Sequence, residues 1–139
     1  MVSTSKQKAD IGDVGAAEAV DFDALMQANL VRVFNEHDSV RRSAALRDLY
    51  TEDATLYDPD TVATGSEAIS AAVDALLVSL PPDFVFISAG HAVGHNGVGR
   101  LFWRAGAPGG PVAVTGTDFV HVEGGRIKSL YVLLDPAPG

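Results

Sequence analysis

The sequence predicts an α+β fold in which three N-terminal helices pack on one face of a strongly curved, mostly antiparallel sheet. Helical apolar periods occupy the chain up to about residue 80, and strand alternation with hairpin signals fills the rest. With 139 residues, 47% of them hydrophobic and 20% charged, the chain has room for one core and not for a second domain.

Residues Met1 to about Val20 mix Ser, Lys, Gln, Asp, Gly and Ala without a sustained apolar period. Residues 1–20 are therefore expected to form a flexible tail, and 21–139 the single domain. From there Phe22, Leu25, Met26, Leu30, Val33 and Phe34 make one helical stripe, with Asp21 as its N-cap. A second short helix is predicted from Ser39 as cap and from Leu46, Leu49 and Tyr50 at i, i+3 and i+4. Ala54 to Tyr57 reads as a short strand, stopped by Asp58-Pro59-Asp60 because proline lacks a donor and constrains its predecessor. Thr64-Gly65-Ser66-Glu67 has the form of a capping box, and Ile69, Val73, Leu76 and Leu80 extend a third helix to Pro81-Pro82. Strands are predicted over 84–95, 98–105, 112–122 and 127–134, joined by Asn96-Gly97, a Gly/Pro loop and Glu123-Gly124-Gly125.

Composition narrows the function. Ten Lys plus Arg against eighteen Asp plus Glu give a net charge of -8, the wrong sign for a nucleic-acid partner. Arg41, Arg42 and Arg47, interspersed with acids, read as a solvated face. Without cysteine there is no disulfide, thiol nucleophile or iron–sulfur cluster. No apolar run approaches the roughly 20 residues that cross a bilayer, and no secretory h-region follows the first lysines, so a cytoplasmic protein with no membrane partner is expected.

Asp118 is the most informative residue. Alternation places it with Val114, Gly116, Val120 and Val122 on the apolar face of its strand, a carboxylate pointing at the core. Such a group must find a partner, become neutral or line a pocket. Its structural alternative is an Asp bonded to backbone or to a Tyr hydroxyl. Asp58 lies on the same side of its strand as Leu56, held extended by Pro59; its alternative is an ordinary Asp-Pro turn. Together they describe a pocket with an ionised carboxylate near the mouth and a deeper, protonated one. His91 and His95 fall about 13 Å apart along a strand, too far for one ion, so no metal site is expected. His91 shares a predicted face with Val85, Ile87 and Ala89, as a core or pocket histidine, and Trp103 shares one with Leu101 and Ala105, as core or as a flat pocket wall.

The order of elements, with Leu56-Tyr57-Asp58-Pro59, Gly65-Ser66-Glu67-Ala68-Ile69 and Gly116-Thr117-Asp118 through Gly125-Arg126-Ile127, resembles the nuclear transport factor 2-like superfamily over about residues 22–135. The resemblance is greatest to its SnoaL-like and ketosteroid isomerase-like branches. It implies a cone of three helices over a four- to six-stranded sheet, a ligand cavity inside and often a dimer outside. By position, Asp58 falls where ketosteroid isomerases keep their proton-shuttling base, and Asp118 where they keep the neutral Asp of the oxyanion hole. The tyrosine that completes that hole would align near Leu30, which has no donor. The Arg and Asp that epoxide hydrolases of this superfamily set two residues apart on one strand are absent, since Arg100 is followed by Phe102 and Arg104.

Two functions follow as expectations. One is a cofactor-independent isomerase, cyclase or dehydratase acting by proton transfer on a small apolar carbonyl compound such as a polyketide or terpenoid intermediate. Asp58 would be its base, Asp118 its oxyanion donor, and Leu30, Phe34, His91, Trp103 and Val120 its substrate-binding wall. The other is a non-catalytic ligand-binding or dimerisation module. In either case Phe102 and Phe119, on the outer sheet face with Arg100, Arg104, Thr115, Thr117 and His121, predict a homodimer through that face.

Overall fold

The computed structural model describes residues 19–137. The expected tail lies outside them except for Ala19 and Val20, and Val20 packs partly against the core. Asp21 caps helix α1 (Phe22–Asn29), its carboxylate accepting from the Ala24 N–H at 2.9 Å. A π-helical turn, Leu30–Phe34, continues α1 and closes with the Asn35 N–H donating to the Leu30 carbonyl. The Asn35 side chain donates to the Phe86 carbonyl and accepts from the Phe86 N–H, 2.8 Å each, as a neighbouring strand would. This tie to the sheet fixes the end of the helix. The predicted stripe is inside: Phe22, Met26, Leu30, Val33 and Phe34 are all buried.

Helix α2 (Ser39–Leu49) is capped by Asp38 rather than by Ser39, because the Asp38 carboxylate reaches the N–H groups of Val40 and Arg41 at 2.8 and 3.1 Å. Arg42 corrects the solvated-face reading, being fully buried between α2 and α3 (Ser66–Ser79). Its guanidinium donates to the carbonyls of Glu36 and Ser70, 3.2 Å each, and twice to Asp74 Oδ1 at 2.7 Å. Arg42 precedes the buried Ala45 and Leu46 by three and four residues, so it sits on the same helical face.

Strand β1 (Tyr50–Asp58) is longer than expected and turns at Asp58-Pro59-Asp60 into an unforeseen strand, β2 (Thr61–Thr64). That strand takes Thr64 out of the expected capping box: its hydroxyl meets Thr55 Oγ1 across the pair, and Gly65 caps α3 without a side-chain bond. The single strand expected over 84–95 is two, β3 (Val85–Ser88) and β4 (Val93–His95). Both pair antiparallel with β5 (Val98–Gly106), at its end and at its beginning. Strands β6 (Val114–Glu123) and β7 (Arg126–Leu134) complete a curved, unclosed sheet of seven strands, more than the four to six expected. Its path is β2-β1-β7-β6-β5-β3, with β4 beside β5, and only the β1–β7 pair is parallel. Three helices cover its concave face, the cone that the α+β reading expects. Phe22 docks where β4 and β5 carry Gly94 and Gly99; a Cβ there would come within 2.6 and 2.4 Å of its ring.

Candidate functional site

Strand alternation delivers both carboxylates to the interior. On β6 Gly116, Asp118, Val120 and Val122 are buried while Thr115, Phe119 and His121 are exposed. On β1 Ala54 and Leu56 are buried, and Asp58, next on that side, is half-buried at the strand end. The register ties them together. Tyr57 pairs with Tyr131 on β7, so Asp58 comes level with Val132, and Val132 pairs with Asp118 on β6. Two strand spacings separate the backbones of the two acids, roughly 10 Å, with room between the side chains for a small molecule.

A cavity of about 240 Å³ opens over this row. The π-helical turn supplies Leu30 and Phe34, the end of α3 supplies Leu76 and Leu80, and the sheet supplies Phe86, Trp103, Val114, Val132 and Leu134 around the two acids. Phe34, Phe86 and Trp103 form a continuous aromatic stack, with centroids 6.2 and 5.4 Å apart. Among the described residues none that lines it is basic. A wider groove of about 480 Å³, beside Leu25, Leu49 and Gly124, carries a single acid, Asp21, already engaged as the α1 cap.

Asp118 is 3% exposed, and Trp103 Nε1 donates to its Oδ1 at 2.9 Å. Among the described residues its Oδ2 has no protein donor. Burial pushes its carboxyl up to about 7, the Trp103 bond holding it lower and the charge of Asp58 raising it further. Burial also raises Asp58, helped by the charge of Asp60. Tyr50, buried and raised by burial and by Asp118, donates its phenolic O–H in a hydrogen bond to Asn29 Oδ1 at 2.5 Å.

The structure thus brings together Asp58, Asp118, Leu30, Phe34 and Trp103, and separates two residues expected with them. Val120 is fully buried in the core and does not line the cavity. His91 lies outside, its side chain 89% exposed and its Nδ1 3.0 Å from Asp23 Oδ2. The expected parity fails from the start of β3, where Phe86 turns inward and Ile87 outward, and His91, in phase with Ile87, is exposed like it. Leu76 and Leu80 stand on the predicted α3 stripe, but nothing in that stripe tells cavity from core. Among the described residues no cluster of three His, Asp or Glu is placed to hold a metal ion, and no helix is long and apolar enough to cross a membrane.

Comparison with known proteins agrees with this geometry. A crystal structure of a proposed isomerase of the SnoaL-like family from Agrobacterium tumefaciens str. C58 shares 30% identity with this chain at a TM-score of 0.75, covering 81% of this chain and 96% of the other. A proposed polyketide cyclase from Sinorhizobium meliloti, at 18% identity and TM-score 0.61 over 81% and 95% of the two chains, has the same fold. So does a proposed ketosteroid isomerase from Kribbella flavida DSM 17836, at 16% and 0.61 over 85% and 83%. No curated protein matches the sequence. The SnoaL-like domain family matches residues 28–130, a span holding both acids and most of the cavity wall, and the chain belongs to that family.

Proposed function

We propose that this protein transfers protons on a small, neutral, apolar carbonyl compound, as an isomerase or cyclase that needs no cofactor. The observation that carries the reading is the pair of carboxylates at different depths in one apolar cavity. Burial is far greater at Asp118, so Asp118 holds its proton to higher pH and Asp58 keeps the charge of a base. Asp58 takes a proton from the carbon beside a carbonyl, the C–H electrons move into the carbonyl, and the oxygen that gains them is met by the Asp118 O–H. With a β,γ double bond in the substrate, return of the proton at the γ carbon completes an isomerisation; attack of the enol carbon on a second carbonyl, whose oxygen takes the proton held by Asp58, completes a cyclisation. A carboxylate substrate would meet two acids and, among the described residues, no base in the wall, so the substrate enters uncharged. The cavity, at about 240 Å³, is below the ~300–1,000 Å³ of drug-sized sites, which favours one or two rings.

Exchange of α-hydrogens of a bicyclic ketone in D₂O, followed by NMR, tests this without the natural substrate. The wild-type chain should accelerate exchange, and Asp58→Asn should lower the rate about 10²–10⁴-fold while the fold survives. No acceleration by the wild type refutes the reading. A second reading, ligand binding without turnover, is favoured by Leu30, which puts a hydrocarbon where a second oxyanion donor would stand; binding of a naphthol without ketone exchange would select it. The protein is also proposed to act as a homodimer. Phe102, Phe119 and Tyr131 are 47, 37 and 39% exposed on the outer sheet face, Tyr131 stacked on Tyr57 and Arg100 lying over Phe102. Light scattering should give a dimer at micromolar concentration, and Phe119→Arg a monomer; a wild-type monomer refutes it.

A further inference from the structure

We propose that Trp103 is a positioning residue that fixes the proton of Asp118 on Oδ2, so that the cavity receives one O–H from one defined atom. This rests on the proton-transfer reading above and assigns the part of its oxyanion donor that Leu30 leaves open.

An indole N–H only donates, and the better acceptor of a neutral carboxyl group is its carbonyl oxygen. Trp103 Nε1 lies 2.9 Å from Asp118 Oδ1, so Oδ1 is the carbonyl oxygen of the neutral acid and Oδ2 carries the hydrogen. When Asp118 ionises, the same N–H bonds the anion and the carboxyl group keeps its orientation. Neither oxygen has another side-chain donor among the described residues. Tyr50, which feels the charge of Asp118, donates its O–H to Asn29 instead.

Backbone choices on three strands build the arrangement. Trp103 on β5 pairs with Gly116 on β6, two residues from Asp118, so the indole reaches Asp118 diagonally across the pair. A Cβ at Gly116 would lie 2.4 Å from Trp103 Cζ2 and 2.7 Å from the Leu133 carbonyl, so only glycine leaves the space in which the indole lies. On β3 the Phe86 ring stacks on the indole at 5.4 Å and 6°, and both backbone groups of Phe86 are held by Asn35. The titratable groups that face Asp118 are Asp58 and Tyr50, both on β1. The π-helical turn, α3, β3 and β7 present Leu30, Phe34, Leu76, Phe86 and Val132, none of them ionisable.

Trp103 is the only tryptophan of the chain, so its indole reports on Asp118 directly. In the ¹⁵N-labelled wild-type protein the single indole N–H resonance should move with pH along one curve centred near the Asp118 midpoint. In Asp118→Asn it should stop titrating; in Asp58→Asn it should still titrate, at a lower pH because a neighbouring negative charge is gone. A resonance that is flat in the wild type, or that titrates alike in Asp118→Asn, overturns the proposal. This arm needs no turnover, so it decides the proton's place even if ketone exchange is absent and the functional reading fails. In Trp103→Phe, which keeps a ring but removes the donor, loss of the bond that favours the anion should move the high-pH limb of the exchange profile up by about one pH unit. A lowered denaturation midpoint with that limb unmoved would make Trp103 packing alone and overturn the assignment.

Discussion

Among the described residues one basic and one acidic side chain are buried, and they are buried in opposite ways. Arg42, between α2 and α3, turns its guanidinium to two carbonyls and the half-exposed Asp74 carboxylate. Asp118, in the concave face of the sheet, has one side-chain donor and an open cavity on its other side. A charge whose three nitrogens each find an acceptor ties elements together. A carboxyl group given one bond and then dried is left with an unsatisfied oxygen and a raised proton affinity, the condition of an acid that works near neutral pH.

This contrast is sharpest in the pH dependence of stability. The Asp118 carboxyl is raised in the folded state from its ordinary 3.8 to about 7. Below about pH 4 it is protonated in both states and costs nothing. Between about 4 and 7 the unfolded chain ionises while the folded chain holds its proton, so stability falls as pH rises, and above 7 the penalty is complete. A rise of that size corresponds to something on the order of 4 kcal/mol. Asp118→Asn should therefore equal the wild type in urea denaturation at pH 4 and exceed it by up to that amount at pH 8. Equal stability at both would show that folding does not raise the Asp118 carboxyl.

Arg42→Ala should lower stability by about 2–4 kcal/mol at every pH from 5 to 8, through the cavity it leaves and the buried carbonyls it strands. A loss that grew or vanished with pH would break the contrast. The smallest effect is expected at His91. His91→Ala removes an exposed bond to Asp23 at the edge of the fold, so ketone exchange and the denaturation midpoint should both stay within error. A large loss of exchange would return His91 to the site from which the structure removes it.

Much of this is legible in the chain. The α1 stripe, the Asp21 cap, the hairpin at Asn96-Gly97 and the alternation along β6 are local signals, each imposed by backbone geometry over a few residues, and the inward direction of Asp118 and Asp58 follows from them. Sequence and structure part where a distant partner overrules the local pattern. Ser39 and Thr64 look like caps, but Asp38 reaches the same N–H groups one residue earlier and Thr64 is claimed by its strand. His91 is placed inside by taking Val85 and Ile87 as the inner face of β3, whereas packing against Phe34 and Trp103 makes Phe86 the inner residue. Arg42 reads as solvated because no sequence window contains the acid it meets thirty-two residues later.

The sequence by itself determined the class of fold, the family resemblance and the two inward acids, since helix and strand periods of 3.6 and 2 residues settle which side chains share a face. Only the tertiary structure decided that Asp58 and Asp118 stand level across β1, β7 and β6, that Trp103 binds Oδ1 of Asp118, and that Tyr50 donates its O–H to Asn29. Those relations depend on register between strands far apart in the chain, and register is set by the packing of the whole sheet against its helices.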